Sequence, residues 1–479
     1  MNTRRPLWTA EEMSAATGGR LVAPFAAHGV SIDSRSLTAD DLFVALAGPN
    51  FDGHEFVGVA YEHGAAGALV TRVPDGIAGD APLLVVDDTL AALEVLGAAG
   101  RARSKARIAA VTGSVGKTGT KEALRLVLAK QGRTSANLGS LNNHWGLPLS
   151  LARMAADTHF GVFEMGMNHA GEISPLSALA KPHVALVTTV EAVHSAHFAS
   201  EEEIADAKAE IFAGMAAGIA VLNLDNRWFD RLAAAADNHG LTVLSFGADE
   251  AAEIHLVRSH LDEDGSDVVA NVGGEMIRYR VGAPGSHWVN NSLAVLATVL
   301  ALGADVASAA KGLAAMTAPD GRGRRHRVAV DGGHFDLIDE SYNASPVSMA
   351  AALEVLGRTR PEADGRRIAV LGDMLELGND APARHRGLTD LVDVHAVDLV
   401  FTAGPMMEHL WDALPATKRG GHAQDSDTLA PLVATAVRPG DMVMVKGSAG
   451  SRTGVVVGAL KVLDRSDDDA MPLRAANGK

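Results

Sequence analysis

The sequence predicts an α/β protein in three domains. Three observations carry that reading. The chain has 479 residues, and a domain typically takes roughly 100–200. From Ile108 onward a pattern of strand, glycine loop and helix repeats, which marks parallel βαβ units. Two breaks in composition, the basic RARSKAR at 101–107 and the Gly/Arg-rich PDGRGRRH at 319–326, divide the chain into 1–104, 105–318 and 319–479.

Each element follows from a local pattern. In the first hundred residues DLFVAL (41–46), AGALVT (66–71) and PLLVVDD (82–88) are short apolar runs bounded by turn residues, and they predict strands. The stretch 89–104 carries Leu90, Leu93, Val95 and Leu96 at helical spacing. Together these make a small N-terminal α/β domain. Beyond the first break, strands are expected at 108–112, 160–164, 184–190 and 220–224, in a parallel sheet. Beyond the second, strands at 335–339, 368–371, 399–402 and 442–445 alternate with helical stretches and predict a Rossmann-like domain. The polar tail after Asp464 is expected to fray.

Composition excludes several classes of function. With 47% hydrophobic residues the chain can build several cores, and its 50 glycines supply tight turns. The absence of cysteine removes disulfides, thiolate metal sites and cysteine catalysis. A net charge of −16, from 42 Lys+Arg against 58 Asp+Glu, argues against a nucleic-acid binder, whose footprint is basic. Any anionic ligand must then be held by local positive groups. The N-terminal MNTRRPLWTAEEM lacks the apolar core of a signal peptide, and the longest apolar run, near 293–302, is too short to span a bilayer. The expectation is a soluble, cytoplasmic protein.

The sharpest motif is IAAVTGSVGKTGTKEAL at 108–124. A β-rich run ends at Thr112, a tight loop follows and a helix starts near Lys117. Such a loop aims successive backbone N–H groups and the positive helix end at a phosphate chain. Lys117 can reach the β- and γ-phosphates, and the Thr118 hydroxyl can ligate Mg²⁺. The long form of the motif would need glycine at Val111, so the match is T-G-x-x-G-K-T. The central domain is therefore expected to be a P-loop NTPase-like, parallel-sheet domain.

Three further residues are candidates for the metal and the reacting phosphate. Glu164 ends the strand before MGMNHAGEI, where a P-loop protein commonly places an acid toward the metal; the plainer reading is an exposed strand-end carboxylate. His194 lies four residues beyond HVALVTTV, at the strand end where open α/β sheets bind ligands; alone, it fits a structural role as well. Lys208 lies on the apolar stripe of the helix at 200–215, with Ile204, Ile211, Phe212 and Met215, a helix opened by Ser200 and Glu203 as a capping box. Lysines so placed ordinarily snorkel outward. One held inward would be an amine of depressed pKa or a modified one, and a carbamate would turn it into a carboxylate-like metal ligand.

Taken in order, these segments resemble the Mur ligase family, from Ser31 to about Val457. SIDSR…LFVALAGPNFDGHEF, TGSVGKT, LNNHWGLPLSL, EMGMNHAGEI, VHSAHF with AKAEIF, GSHWVNNSLA, GRGRRH, IDESYNASPVSM, LGDMLELG and VKGSAGSR follow in family order. They are most similar to the branch that adds D-alanyl-D-alanine to UDP-N-acetylmuramoyl-tripeptide for peptidoglycan. Three positions depart from the family pattern: Glu340 stands where Asp is common, Ser345 replaces Asn before Pro346, and Ala449 stands where many relatives carry Arg, with Arg452 three positions later.

The resemblance implies an ATP-dependent amide ligase that works through an acyl phosphate. Gly113, Ser114, Val115, Gly116, Lys117, Thr118 and Gly119 would bind ATP, with Asn290 at the adenine and Arg322 and Glu340 closing over the nucleotide. Thr118 and Glu164 would hold one Mg²⁺; Glu164, His194 and a carbamylated Lys208 would serve a second. Lys117, Glu164, His194 and Lys208 form the expected catalytic set. Asp33, Ser34 and Arg35 would meet the uridine diphosphate, and Asn142 and Asn143 would line the substrate cleft. The partners implied are the two small-molecule substrates, with no nucleic acid, no membrane insertion and a monomer as the family default. An open arrangement is expected without ligands, because the parts are divided among domains. The competing readings are a related ligase adding another group, such as a folylpolyglutamate synthase or the meso-diaminopimelate-adding ligase, and a nucleotide-binding regulator without catalysis.

Overall fold

Three sheets organise the molecule. The computed structural model describes residues 5–48, 50–191, 198, 200–362 and 364–465; His194 and the tail expected to fray beyond residue 465 lie outside them. The N-terminal sheet runs Arg20–Leu21, Leu83–Val85, Gly67–Val70, Asp41–Val44, Gly29–Ser31. The expected helix forms over Thr89–Ala102, capped by Asp88, whose carboxylate accepts the N–H groups of Leu90 and Ala91.

The central sheet has nine strands, in the order Thr134–Ala136, Phe160–Glu164, Arg107–Thr112, Val184–Val187, Ile219–Asn223, Thr242–Gly247, Ile254–Leu261, Ser266–Val272, Glu275–Val281. Its first seven strands are parallel, and the inner ones are apolar on both faces, as a sheet covered on both sides requires. Helices Lys117–Leu128 and Ser286–Ala301 pack on one face. Helix Ile173–Ala180 packs on the other. The last three strands form an antiparallel extension that the parallel reading of this region did not include. Its signature is a period of two: Ser266, Val268, Ala270 and Val272 are buried while the residues between them are not. The strand expected at 184–190 ends at Val187, because the chain there turns to cover the phosphate loop.

The C-terminal sheet runs Arg324–Val330, Gly333–Glu340, Met442–Lys446, Arg367–Gly372, Leu399–Ala403, Arg419–Ala423. All pairings but the first are parallel. The Gly/Arg-rich break at 319–326 thus runs straight into an edge strand. Among the described residues no helix is long and apolar enough to cross a membrane.

The N-terminal and central sheets are tied side by side. Trp8 Nε1 donates to Ala152 O at 2.8 Å. The Arg103 guanidinium lies 3.8 Å from the Trp8 ring centre and donates to Leu7 O and Met154 O. Removing it leaves two carbonyls without partners and strips the ring of its cover. Arg103→Ala is expected to cost about 2–3 kcal/mol, measured as a lowered denaturant midpoint with the far-UV circular dichroism retained at low temperature.

Candidate active site

The phosphate loop is built as its sequence requires. Strand Arg107–Thr112 delivers the chain to Gly113 (φ 140°) and Gly116 (φ 84°), both in conformations that a side chain would strain, and helix Lys117–Leu128 starts at once. Space is a second reason for these glycines. A Cβ on Gly113 would lie 2.1 Å from Thr188 Oγ1, and one on Gly116 would lie 3.0 Å from Asn291 Oδ1. The loop is braced from the neighbouring strand end. Ser114 N–H donates to Thr189 O, Thr188 Oγ1 donates to Val115 O, and Ser114 Oγ exchanges hydrogen bonds with the Glu191 backbone. Lys117 Nζ folds back onto Gly113 O at 2.6 Å and Ser114 O at 3.2 Å. Burial lowers the Lys117 pKa, with Glu164 opposing and Arg322 adding to the effect.

Glu164 is almost fully buried at the end of strand Phe160–Glu164. Thr118 Oγ1 donates to its Oε2 at 2.8 Å, and Asn142 Nδ2 donates to its Oε1 at 2.7 Å. The strand-end acid is therefore not the exposed carboxylate of the plainer reading. No group of three or more His, Asp or Glu side chains gathers among the described residues. A hydroxyl and one carboxylate are hard oxygen donors, and they fit Mg²⁺, which keeps waters and phosphate oxygens as its other ligands.

The third candidate is turned inward. Helix Glu201–Ala209 begins with Ser200 Oγ accepting the Glu203 N–H, one arm of the expected capping box. Lys208, on its last turn, is 1% exposed, and no hydrogen bond or ion pair joins its ammonium to a described residue. Burial, and next the Lys117 ammonium, push its pKa well below the ordinary lysine value. It does not snorkel.

The phosphate loop and Glu164 face a cavity of about 720 Å³, which Lys208 does not line. Ser114, Val115, Gly116, Lys117, Thr118, Gly119, Asn142, Glu164 and Asn290 line it from the central domain; Arg322 and Glu340 line it from the C-terminal one. Glu340, at the end of its strand, accepts from the buried Lys446 Nζ at 3.2 Å, and Lys446 also donates to Asn343 O at 2.9 Å. Arg322 lies 3.9 Å from the centre of the Tyr342 ring. Two side-chain contacts span the cleft: Tyr342 Oη to Ser140 Oγ at 2.5 Å and Ser286 Oγ to Glu354 Oε2 at 2.8 Å. The two domains share one cavity, held by these contacts.

Other expected residues are placed differently. Gly113 shapes the loop without reaching the cavity wall. Asn143 does not line it, and its Oδ1 accepts the Trp145 and Gly146 N–H groups at the start of helix Gly146–Ala152. Asp33, Ser34 and Arg35 lie on the loop after strand Gly29–Ser31, away from the cavity wall. Arg35, 88% exposed, grips Asp33 through Nε and Nη2, which holds the Asp33 carboxyl below its usual range. Reading by motif missed Asn291, which abuts Gly116, and Thr188, Asn226, His287 and Lys446. Their types are ordinary, and only their places, Thr188, Asn226 and Lys446 at or just past strand ends and His287 and Asn291 in the first turns of helix Ser286–Ala301, would have singled them out.

A phosphate loop on a parallel sheet, with a second α/β domain closing its nucleotide pocket, defines a multidomain nucleotide-dependent enzyme. The chain belongs to the Mur ligase family. It matches that family's catalytic domain over residues 26–106, the Mur ligase middle domain over 111–299 and the glutamate ligase domain over 323–449. It is 34% identical to the UDP-N-acetylmuramoyl-tripeptide–D-alanyl-D-alanine ligase of Escherichia coli, covering 90% of this chain and 93% of that one. The Rickettsia prowazekii protein of the same name is 31% identical, over 94% of this chain and 99% of its own. Among solved structures, MurF from Acinetobacter baumannii superposes with a TM-score of 0.80 at 29% identity, covering 95% of this chain and 99% of that one. MurF from Thermotoga maritima in complex with ADP gives 0.72 at 26%, covering 91% and 97%.

The unfolded chain binds a proton at Lys208 more readily than the fold does, so stability rises with pH from the depressed folded pKa up to the ordinary 10.5. In CO₂-free buffer Lys208→Met should raise the melting temperature by a few degrees at pH 7. The gain should shrink toward pH 10, measured by scanning calorimetry.

Proposed function

We propose that this chain joins D-alanyl-D-alanine to UDP-N-acetylmuramoyl-tripeptide at the expense of ATP, giving the pentapeptide precursor of peptidoglycan. The observation that carries the reading is the meeting, in one cavity, of the phosphate loop, the Thr118–Glu164 pair and the C-terminal Arg322 and Glu340. Relatives of that activity align along nearly the whole chain.

A carboxylate does not condense with an amine because its leaving oxygen is poor. Transfer of the γ-phosphoryl group breaks its bond to ADP and forms an acyl phosphate. The dipeptide amine then attacks the acyl carbon, and the tetrahedral intermediate collapses to amide and inorganic phosphate as the nitrogen loses its proton. Such catalysis rests on positioning and on charge neutralisation. Residues 113–119 cradle the triphosphate with backbone N–H groups. Lys117 leaves its two carbonyls to meet the transferring phosphoryl group. Asn290 meets the adenine, and Arg322 and Glu340 cover the nucleotide from the C-terminal side. Mg²⁺ bound by Thr118 and Glu164 would neutralise phosphate oxygens.

Lys208 is fitted for a different task. A neutral amine adds CO₂ and releases a proton, and burial, which lowers the Lys208 pKa, favours that neutral form. As a carbamate it would join Glu164 and His194 at a second Mg²⁺. Arg35, loosely held by a surface ion pair, Asp33 and Ser34 serve the uridine diphosphate, and Asn142 the substrate cleft; Asn143 acts there by shaping the loop. We place the work in three domains, 1–104, 105–318 and 319–479, of a cytoplasmic monomer.

The test is coupled ADP release with UDP-N-acetylmuramoyl-tripeptide while the amine acceptor is varied. Turnover confined to D-alanyl-D-alanine is the expected result; turnover with a free amino acid on a shorter precursor would assign the chain to a related ligase. The absence of phosphate release on adding any acceptor would favour the non-catalytic regulator. Lys117→Ala should reduce turnover at least about a hundredfold while the N-terminal domain still binds the UDP-substrate. Lys208→Ala and Lys208→Arg should both lose most activity, since neither can form the carbamate, and full activity in either removes that role.

A further inference from the structure

The edge strand of the central sheet stops two residues short of Glu164. Strand Thr134–Ala136 pairs with Phe160, Gly161 and Val162 and then stops. The Glu164 N–H and C=O on that side are left without a strand partner. The side chain of Asn137 supplies both. Its Oδ1 accepts the Glu164 N–H at 3.0 Å, and its Nδ2 donates to Glu164 O at 3.0 Å and to Leu141 O at 2.9 Å. One amide thus stands in for a strand residue and also ties down the loop that delivers Asn142 to the Glu164 carboxylate.

Asn137 is held in turn by a lysine that the mechanism does not use. Lys121 is fully buried on helix Lys117–Leu128, one turn beyond Thr118. Its Nζ donates to Asn137 O at 2.8 Å and Gly139 O at 2.9 Å and pairs with Glu122 at 2.6 Å. The helix that presents Thr118 therefore grips the loop that fixes Glu164. A buried cation satisfied by two carbonyls and a carboxylate makes a stiff brace, because every alternative leaves a charge unpaired.

We propose that Asn137 and Lys121 are positioning residues that fix the spacing between Glu164 and Thr118, and through it the affinity of the site for the divalent cation of the bound nucleotide. This rests on the nucleotide reading of the cavity given above. Neither side chain lines the cavity; both act through Glu164. Partners of this kind alter metal affinity by about 10–100-fold.

The experiment uses the full-length protein loaded with ADP. Mn²⁺ binding is followed by electron paramagnetic resonance, and ADP binding in EDTA by calorimetry. Asn137→Ala should weaken Mn²⁺ by about tenfold or more and change metal-free ADP binding less than about twofold. Lys121→Gln should act in the same direction and decides the matter should Asn137→Ala fail to fold. In a Glu164→Gln background, Asn137→Ala should add less than about twofold, because the cycle isolates what passes through Glu164. Mn²⁺ affinity unchanged in the variants, or an equal loss in the Glu164→Gln background, overturns the proposal. A wild-type protein that binds neither ADP nor Mn²⁺ with ADP overturns the reading of the cavity itself, a separate result.

Discussion

The arrangement of the cavity depends on the pairing of one strand. Arg107–Thr112 lies between two parallel neighbours, and Val111 stands opposite Glu164 on one side and Leu186 on the other. That register delivers the phosphate loop, the acid and the Thr188 brace to the same sheet edge. A slip of one residue would turn each side chain to the opposite face. The continuous apolar run of these strands, buried against helices on both faces, is what forbids the slip. Packing energy thereby sets the register on which the polar braces around Glu164 and the phosphate loop are built.

Much of this was legible in the residues, for reasons that differ by region. The phosphate loop announces itself because Gly113, Gly116 and Lys117 are each required by a local constraint, positive φ, lack of space or charge. The inward turn of Lys208 was legible only in part, since its place on an apolar stripe fits snorkelling equally well, and the surrounding side chains settle it. Asn143 illustrates the reverse. Its neighbour Asn142 reaches Glu164, whereas Asn143 accepts the Trp145 and Gly146 N–H groups ahead of a helix, and nothing in an Asn-Asn pair says which does which. The antiparallel extension at 254–281 went unread because its alternation was overshadowed by the stronger parallel pattern before it. The link from Asn137 to Glu164 spans 27 residues and leaves no trace in local periodicity.

The three buried lysines show how one residue type serves three ends. Lys121 is saturated by carbonyls and Glu122, Lys446 is shared by Glu340 and Asn343, and Lys208 meets no partner among the described residues. The first is mechanical, the second joins two strand ends at the cavity, and the third is chemically available. In a chain of net charge −16, positive groups are concentrated where the sheets converge, and the anionic ligand meets a local field that the overall charge does not suggest.

The cleft between the central and C-terminal domains is spanned by the Tyr342–Ser140 and Ser286–Glu354 hydrogen bonds. Contacts of this type contribute about 1 kcal/mol each, so they bias the domain arrangement without locking it. A nucleotide that touches both sides needs only a modest difference in affinity to shift the population further. The same weakness bears on the exit: these two hydrogen bonds add little to the enclosure of a bound nucleotide, so opening the cleft is cheap. A small molecule that bridged Arg322 and the phosphate loop at once would act as a staple, drawing its strength from the interdomain motion it prevents.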